Sequence, residues 1–159
     1  DDKRLKKNDV LMHLLRPILK TLVRQRIISN TLFKRAATPK VIEKILNQAY
    51  PSGKNVDKEL VKILYEPSQR KNSREAFRGF INLFDDYLAP DLFEKVNIPI
   101  QLIWGEKDPW ESLSEAIEWK KQFKNIKRLD VIEGVGHCPH DEDPEKTNML
   151  INDFLQETK

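Results

Sequence analysis

The order of elements after residue 98 constrains the fold more than any other feature of the sequence. Residues 99–104 form a nearly continuous apolar segment that ends at Gly105, which is typical of a strand buried in a parallel sheet. A second strand-like segment, residues 128–132, ends at the glycine-rich residues 134–136. Helices are predicted between and after these strands, from Ser112 or Ser114 to Phe123 and from Pro144 onward. Because the order is strand, helix, strand, helix, we predict two parallel strands joined by a right-handed crossover.

The first 95 residues are predicted to be helical instead. Capping residues and prolines divide this region into successive helices. The predicted elements are a helix from Asn8 or Asp9 with an apolar stripe at 11–22 and a kink or restart at Pro17, a helix from Thr38-Pro39 to residues 51–53, a helix from Asp57 to before Pro67, a helix from an Asn72/Glu75 capping box to about Tyr87, and a short helical turn from Pro90. The sequence therefore predicts a helical region at residues 1–95 and an α/β region at residues 96–159.

Charge is distributed unevenly along the chain. The net charge is +3, but residues 1–80 hold 19 Lys and Arg against 8 Asp and Glu, a balance of +11, and residues 81–159 have a balance of −8. A solvated helical surface is the simplest interpretation, and a basic surface facing an anionic membrane or substrate is the sharper one.

Composition also bears on the cellular compartment. The single cysteine, Cys138, excludes an internal disulfide and fits a reducing environment. No apolar run approaches the ~20 residues that span a bilayer, and no signal peptide is recognised at the charged start. We therefore expect a cytoplasmic protein, or a protein of the plastid stroma if the source is a plant.

Two polar residues follow the ends of the two predicted strands. Asp108 lies just past the first strand, and His137 lies 29 residues later, just past the second. Because neighbouring parallel strands are about 4.8 Å apart, both side chains are expected at one sheet edge, where open α/β sheets bind ligands. An Asp beside a His fixes the imidazole tautomer and leaves the other ring nitrogen free as a general base. Asp108 and His137 are therefore the predicted catalytic residues.

The residues around this pair resemble the C-terminal end of the α/β-hydrolases. The family's acid turn, Gly-x-x-Asp, is matched by residues 105–108, and its histidine turn, Gly-His followed by an acidic helix start with Pro, is matched by Gly136, His137, Glu142, Asp143 and Pro144. The amino-acid sequences of both turns resemble those of the plant-plastid and cyanobacterial branch, which includes pheophytinase-like esterases. The resemblance implies an α/β fold, of which the last two parallel strands and their flanking helices are present here, preceded by a helical cap or lid at residues 1–95.

The nucleophile of that family has no counterpart in these residues. It lies upstream of the acid in Gly-x-Ser-x-Gly or a close variant, and none of the six serines is flanked by glycines at that spacing. We therefore expect the chain to be the C-terminal part of a longer hydrolase, whose nucleophile is Ser or, as in dehalogenase-like relatives, Asp. The resemblance implies hydrolysis of an ester or related bond in a small lipophilic substrate, without a cofactor or metal.

Simpler roles are the alternatives for the individual residues. Asp108 alone is consistent with a turn cap, and His137 alone with a structural histidine. Trp110 is predicted as a substrate-binding residue because it adjoins the acid turn, although packing is an equal alternative. The clump from His137 to Asp141 lacks the two separated ligand pairs typical of zinc sites, so no metal is predicted. Cys138 adjoins the histidine only in sequence, so it is not predicted to be a nucleophile.

Two other functional classes stay open at this level. The chain is also consistent with a non-catalytic remnant that binds a partner polypeptide through its sheet edge, or with a basic helical module at residues 1–80. Such a module favours peripheral membrane contact over nucleic acid, because aromatic residues are not interleaved with the basic ones. No nucleic-acid partner is predicted, and the oligomeric state is not determined by the sequence.

Overall fold

The computed structural model describes residues 21, 22, 24–82 and 89–158. Its elements, in chain order, are α1 (Arg26–Ala36), α2 (Pro39–Ala49), α3 (Lys58–Tyr65), a 3-10 turn (Glu66–Gln69), α4 (Ser73–Asn82), α5 (Ala89–Phe93), β1 (Ile100–Gly105), α6 (Leu113–Gln122), β2 (Ile126–Ile132), α7 (Pro139–Glu142) and α8 (Pro144–Glu157). Within the described ranges, no helix is both long and apolar enough to cross a bilayer. The helix predicted around residues 11–22 lies almost entirely outside the described residues.

The chain packs as two compact units. The helical unit comprises Asp1–Thr38 and Leu64–Asp86, and the sheet unit comprises Pro39–Ile63 and Tyr87–Lys159. These units do not follow the predicted boundary between residues 95 and 96, because residues 39–63 pack with the C-terminal part. The assignment of residues 1–95 as a cap stays a prediction.

In the helical unit, α1 packs against α4. The rings of Phe33 and Phe77 lie 5.3 Å apart between their centroids. Ser29 is fully buried, and its hydroxyl donates to the Arg26 carbonyl at 3.2 Å. The predicted capping box at the start of α4 is wrong. Asn72 has a φ of 69°, in the left-handed region, whereas an N-cap residue is extended. The predicted end of this helix, near Tyr87, lies outside the described residues.

Local signals predicted most helix starts of the sheet unit correctly. Asp57 caps α3, accepting a hydrogen bond from the Leu60 N–H at 2.8 Å. Ser112 caps α6 through the Ser114 N–H, and Asp143 caps α8 through the Lys146 N–H at 3.0 Å. The short helix α7 was not predicted.

The sheet consists of two parallel strands, as predicted. Ile100 pairs with Ile126 and Gly105 pairs with Ile132, so both strands end at the same edge. β2 begins two residues before its predicted start. One buried cluster lies between the sheet and α8, formed by Ile132, Val135 and Leu150 with Ile103. β1 is only half-buried, which differs from the full burial that its apolar sequence indicated.

A second buried cluster lies away from the sheet. It joins α2 to α3 and consists of Leu46, Ala49, Tyr50 and Val61. Cys138 packs against this cluster, which accounts for a cysteine next to the predicted catalytic histidine. The sheet unit is thus two parallel strands with flanking helices, and the end of α2 packs beside the histidine turn.

Candidate active site

The acid turn follows β1 directly. The Asp108 N–H donates to the Gly105 carbonyl at 3.2 Å, which closes the turn. The Oδ1 atom of Asp108 accepts hydrogen bonds from the N–H groups of Trp110 at 2.9 Å and Glu111 at 3.0 Å. Asp108 therefore also caps the turn. Because only Oδ1 makes these bonds, Oδ2 can accept a hydrogen bond from another donor.

The histidine turn follows β2 and runs alongside the acid turn. The Glu106 N–H donates to the Ile132 carbonyl at 3.0 Å, and the Lys107 N–H donates to the Val135 carbonyl at 2.9 Å. The side chain of Glu106 accepts a hydrogen bond from the Gly134 N–H at 2.9 Å. Gly134 has a φ of +74°, a backbone conformation that favours glycine. The two turns are thus hydrogen-bonded to each other rather than only adjacent.

Two glycines permit this close approach. A Cβ atom on Gly105 would overlap the carbonyl oxygen of Gly136 and would lie 2.6 Å from that of Val135. A Cβ atom on Gly136 would overlap the Ala49 carbonyl oxygen and the ring of Pro51. Neither position can carry a side chain unless the backbone of a neighbouring segment shifts.

The predicted acid and histidine form a hydrogen bond. Nδ1 of His137 lies 2.9 Å from Oδ2 of Asp108. The Asp108 side chain is 8% exposed and that of His137 is 38% exposed. Burial raises the pKa of Asp108, but the hydrogen bonds from Trp110, Glu111 and His137 together lower it by more than burial raises it. The pKa of Asp108 therefore lies below its usual value. An ionised carboxylate only accepts hydrogen bonds, so the ring proton of His137 lies on Nδ1.

The other ring nitrogen of His137, Nε2, makes no hydrogen bond within the described part of the chain. The indole of Trp110 packs edge-on against the imidazole, with 4.8 Å between ring centroids and 70° between ring planes. Trp110 itself is 48% exposed. A cavity of about 160 Å³ opens beside the pair, lined by Ile103, Trp104, Gly105, Asp108, Glu111, His137 and Pro139. The structure therefore brings together all three residues that the sequence singled out.

Among the described residues, no group of three or more His, Cys, Asp or Glu side chains is arranged to hold a metal ion. His140 is exposed, and Asp141 accepts the hydroxyl of Tyr50 at 2.8 Å. Burial raises the pKa of Tyr50, and the hydrogen bond to Asp141 adds to the rise, so the phenol is a neutral donor.

One residue near the site was overlooked by sequence reasoning. Glu142 was noted only as part of the motif after the histidine, but it is buried and hydrogen-bonded to both Gly136 and Ser52. Ser52 is 90 positions away in the chain. No spacing rule connects residues at that separation, so only the folded structure reveals the contact.

The chain matches no family model, but it is similar to several curated hydrolases. It is 29% identical over 134 residues to the chloroplastic pheophytinase of Arabidopsis thaliana, covering 81% of this chain and 27% of that protein. It is 34% identical over 82 residues to monoacylglycerol lipase ABHD6 of Mus musculus, covering 52% and 24%. It is 28% identical over 121 residues to epoxide hydrolase 3 of Xenopus tropicalis, covering 73% and 32%. The chain thus spans about a quarter to a third of the length of these relatives.

A solved structure agrees with these relatives. A membrane phospholipase A, a bacterial virulence factor, superposes with a TM-score of 0.59 at 26% identity, over 77% of this chain and 39% of that chain. With the parallel strands and the paired turns, these similarities show that the chain has part of the α/β-hydrolase fold. It corresponds to the C-terminal part of that fold, and similarity to pheophytinase is consistent with the branch that its turns resemble.

Proposed function

We propose that Asp108 and His137 are the acid and the histidine of a nucleophile–histidine–acid triad in a hydrolase. The observation that carries this proposal is the 2.9 Å contact between Nδ1 of His137 and Oδ2 of Asp108, with Nε2 left without a hydrogen bond in the described part of the chain. An imidazole held in this way is oriented, has a fixed tautomer and presents an unprotonated nitrogen toward a neighbouring group.

Each residue has a defined part in the proposed reaction. With a serine nucleophile, Nε2 removes the hydroxyl proton as the oxygen attacks the substrate carbonyl, and the resulting imidazolium returns the proton to the leaving group. Nε2 then removes a proton from the water that hydrolyses the covalent intermediate. With an aspartate nucleophile, His137 activates only that water. Asp108 orients the ring and stabilises its positive charge throughout, without itself taking the proton.

We propose further that the nucleophile is supplied from outside these 159 residues. None of the six serines lies in the turn sequence that presents such a nucleophile. The curated relatives are three to four times as long as the part that this chain matches, which leaves ample sequence for that element.

The substrate class we favour is a lipophilic ester. Ile103, Trp104 and Pro139 supply the apolar part of the cavity beside His137, and the half-exposed indole of Trp110 lies next to the imidazole. Two of the relatives are named as lipases, a monoacylglycerol lipase and a phospholipase A, which agrees with an apolar acyl group. We assign the basic residues 1–80 to a cap that also contacts an anionic membrane surface, since their balance of +11 suits that contact.

The test is substitution at the pair in the complete enzyme from its source. Asp108→Asn should lower kcat about 10⁴-fold, because an amide facing Nδ1 favours the wrong tautomer. His137→Ala should lower kcat at least as far. His140→Gln is the matched control, since His140 is an exposed histidine on α7, three residues along the chain. Hydrolysis of p-nitrophenyl esters of increasing acyl length is the assay. A catalytic role for the pair is excluded if Asp108→Asn and His137→Ala both keep wild-type activity.

A partner-binding role is the second candidate. Within the described residues, β1 pairs only with β2, so its other edge has no strand beside it. An unpaired edge is a ready template for another strand. Co-purification of this chain with a polypeptide that carries Gly-x-Ser-x-Gly would support a hydrolase assembled from two chains. Full-length hydrolase recovered as a single polypeptide would exclude it.

A further inference from the structure

Glu142 is a buried carboxylate that the proposed reaction does not use. It is the last residue of α7, and only 2% of it is exposed. A buried carboxylate is costly unless donors surround it. The donors that surround Glu142 are therefore expected to be held in place by it.

Each oxygen of Glu142 binds a different segment. Oε1 accepts the Gly136 N–H at 2.7 Å, and Oε2 accepts the Ser52 hydroxyl at 2.6 Å and the Ser52 N–H at 3.4 Å. Hydrogen bonds to an ionised acceptor are about twice as strong as those between neutral groups. The carboxylate thus joins the histidine turn to the segment that follows α2.

The last residue of α2, just before that segment, also holds the histidine turn directly. The backbone N–H of His137 donates to the carbonyl of Ala49 at 2.8 Å, so two successive N–H groups of the histidine turn are held, one by Glu142 and one by Ala49. Gly136 packs so closely against Ala49 and Pro51 that a Cβ atom would not fit there. The turn therefore has little freedom while the bridge between Glu142 and Ser52 is intact.

We infer that Glu142, held by Ser52, is a positioning residue for His137. The inference rests on the proposed function of His137. The bridge sets the position of the backbone from which the imidazole projects, and so keeps Nδ1 within hydrogen-bond distance of Asp108 and Nε2 aimed at the nucleophile. Neither Glu142 nor Ser52 touches the reacting atoms. They act through the placement of the ring.

A purely structural role makes a different prediction from a positioning role. Loss of a buried hydrogen bond anywhere in this region lowers stability. Only loss of positioning also weakens the Asp108–His137 hydrogen bond in molecules that remain folded. The hydrogen-bonded Nδ1–H proton of His137 gives a downfield NMR resonance that reports this bond without any need for activity.

The experiment compares two bridge variants with a matched control. Ser52→Ala removes one donor and leaves Gly136 bound to Glu142, whereas Glu142→Ala removes the whole bridge. Thr147→Val is the control, because Thr147 is buried like Glu142 and its hydroxyl donates to the Pro139 carbonyl at 2.9 Å, outside the bridge. The variants are made in the full chain, the imidazole resonances are recorded below the melting temperature, and the melting temperature of each variant is measured.

We expect the Nδ1–H resonance to weaken or shift upfield in Ser52→Ala, and further in Glu142→Ala, with Thr147→Val matching the wild type. In the complete enzyme, kcat for a p-nitrophenyl ester should fall by roughly tenfold in Ser52→Ala with little change in KM, since small displacements of a catalytic group are costly. An unchanged imidazole resonance in folded Ser52→Ala would overturn the inference, whether or not Glu142→Ala folds.

The imidazole measurement also separates this inference from the proposed function. If His137→Ala keeps full activity, the triad assignment fails. A changed resonance in Ser52→Ala would then still establish that the bridge places the ring. If His137→Ala is inactive but the resonance in Ser52→Ala is unchanged, the positioning inference alone fails.

Discussion

Replacing Gly105 with alanine tests whether the acid and histidine turns can lie this close together only because residue 105 has no side chain. The added Cβ would overlap the Gly136 carbonyl oxygen and would lie 2.6 Å from the Val135 carbonyl oxygen and 2.8 Å from the Gly136 carbonyl carbon. All three atoms are backbone, so no side chain can rotate away. The two turns must instead move apart by about 1 Å or more before the Gly136 carbonyl oxygen reaches van der Waals distance from the added Cβ.

The magnitude follows from what that movement costs. Overpacking in a well-packed site costs about 1–3 kcal/mol. Separation would also stretch the hydrogen bonds from Glu106 to Ile132 and from Lys107 to Val135, now 3.0 and 2.9 Å long. Loss of one adds about 1 kcal/mol. We therefore expect Gly105→Ala to lower the free energy of unfolding by about 2–4 kcal/mol.

Two other glycines provide matched controls for this substitution. An alanine at Gly134 meets no atom within 4 Å but must adopt a φ of +74°, so it should cost only about 1 kcal/mol. An alanine at Gly79, in the middle of α4, also meets nothing within 4 Å and should stabilise the helical unit by about 0.5–1 kcal/mol.

Urea unfolding followed by tryptophan fluorescence is the assay for Gly105→Ala and Gly134→Ala, and helical circular dichroism follows Gly79→Ala. All three tryptophans, Trp104, Trp110 and Trp119, belong to the sheet unit, so the signal reports the unit that contains the site. If Gly105→Ala is no more destabilising than Gly134→Ala, the close approach of the two turns does not require glycine at residue 105.

Two further predictions concern charge and hydrogen bonding in the same unit. The pKa of Asp108 is lowered in the folded state, so its stabilising contribution should be complete above the unfolded value of about 3.9 and should disappear as the pH falls through the folded value. Urea midpoints from pH 3 to 7 should therefore show Asp108→Asn less stable than wild type near neutrality, and the difference in midpoint should shrink in acid. A difference in midpoint that does not change with pH would contradict this. Tyr50→Phe removes the donor to Asp141 and should cost about 1–2 kcal/mol, measured by the same unfolding assay, and a loss below about 0.5 kcal/mol would show that water replaces the phenol hydroxyl.

Helix starts and strand order could be predicted because their causes are local. Asp57, Ser112 and Asp143 each bond to an N–H two or three residues away, and such bonds leave a signature in the sequence. The failure at Asn72 has an equally local cause. Its spacing to Glu75 fits a capping box, but it adopts the left-handed conformation, and Glu75 forms ion pairs with Arg26 and Arg78 instead.

The site could be predicted only in part, for a topological reason. Asp108 and His137 follow two strands that pair in parallel, and parallel pairing alone brings their ends together. The bridge between Glu142 and Ser52 has no such rule behind it, since Ser52 lies in the segment after α2 and Glu142 lies 90 residues later. The two compact units differ from the predicted division at residues 95 and 96 for the same reason. Residues 39–63 pack with the sheet through contacts between distant parts of the chain.

The contacts that hold the acid and histidine all lie within the sheet unit. Asp108 is oriented by the N–H groups of Trp110 and Glu111, and His137 is oriented by Asp108 and by the carbonyl of Ala49. Nothing in this arrangement requires the nucleophile to be present. Because preorganised groups need no rearrangement when a reaction begins, the nucleophile of the proposed triad has only to approach Nε2 in the right direction. In the proposed triad, the acid and the histidine are therefore paired before the nucleophile engages them, whether that residue belongs to the same polypeptide or to another.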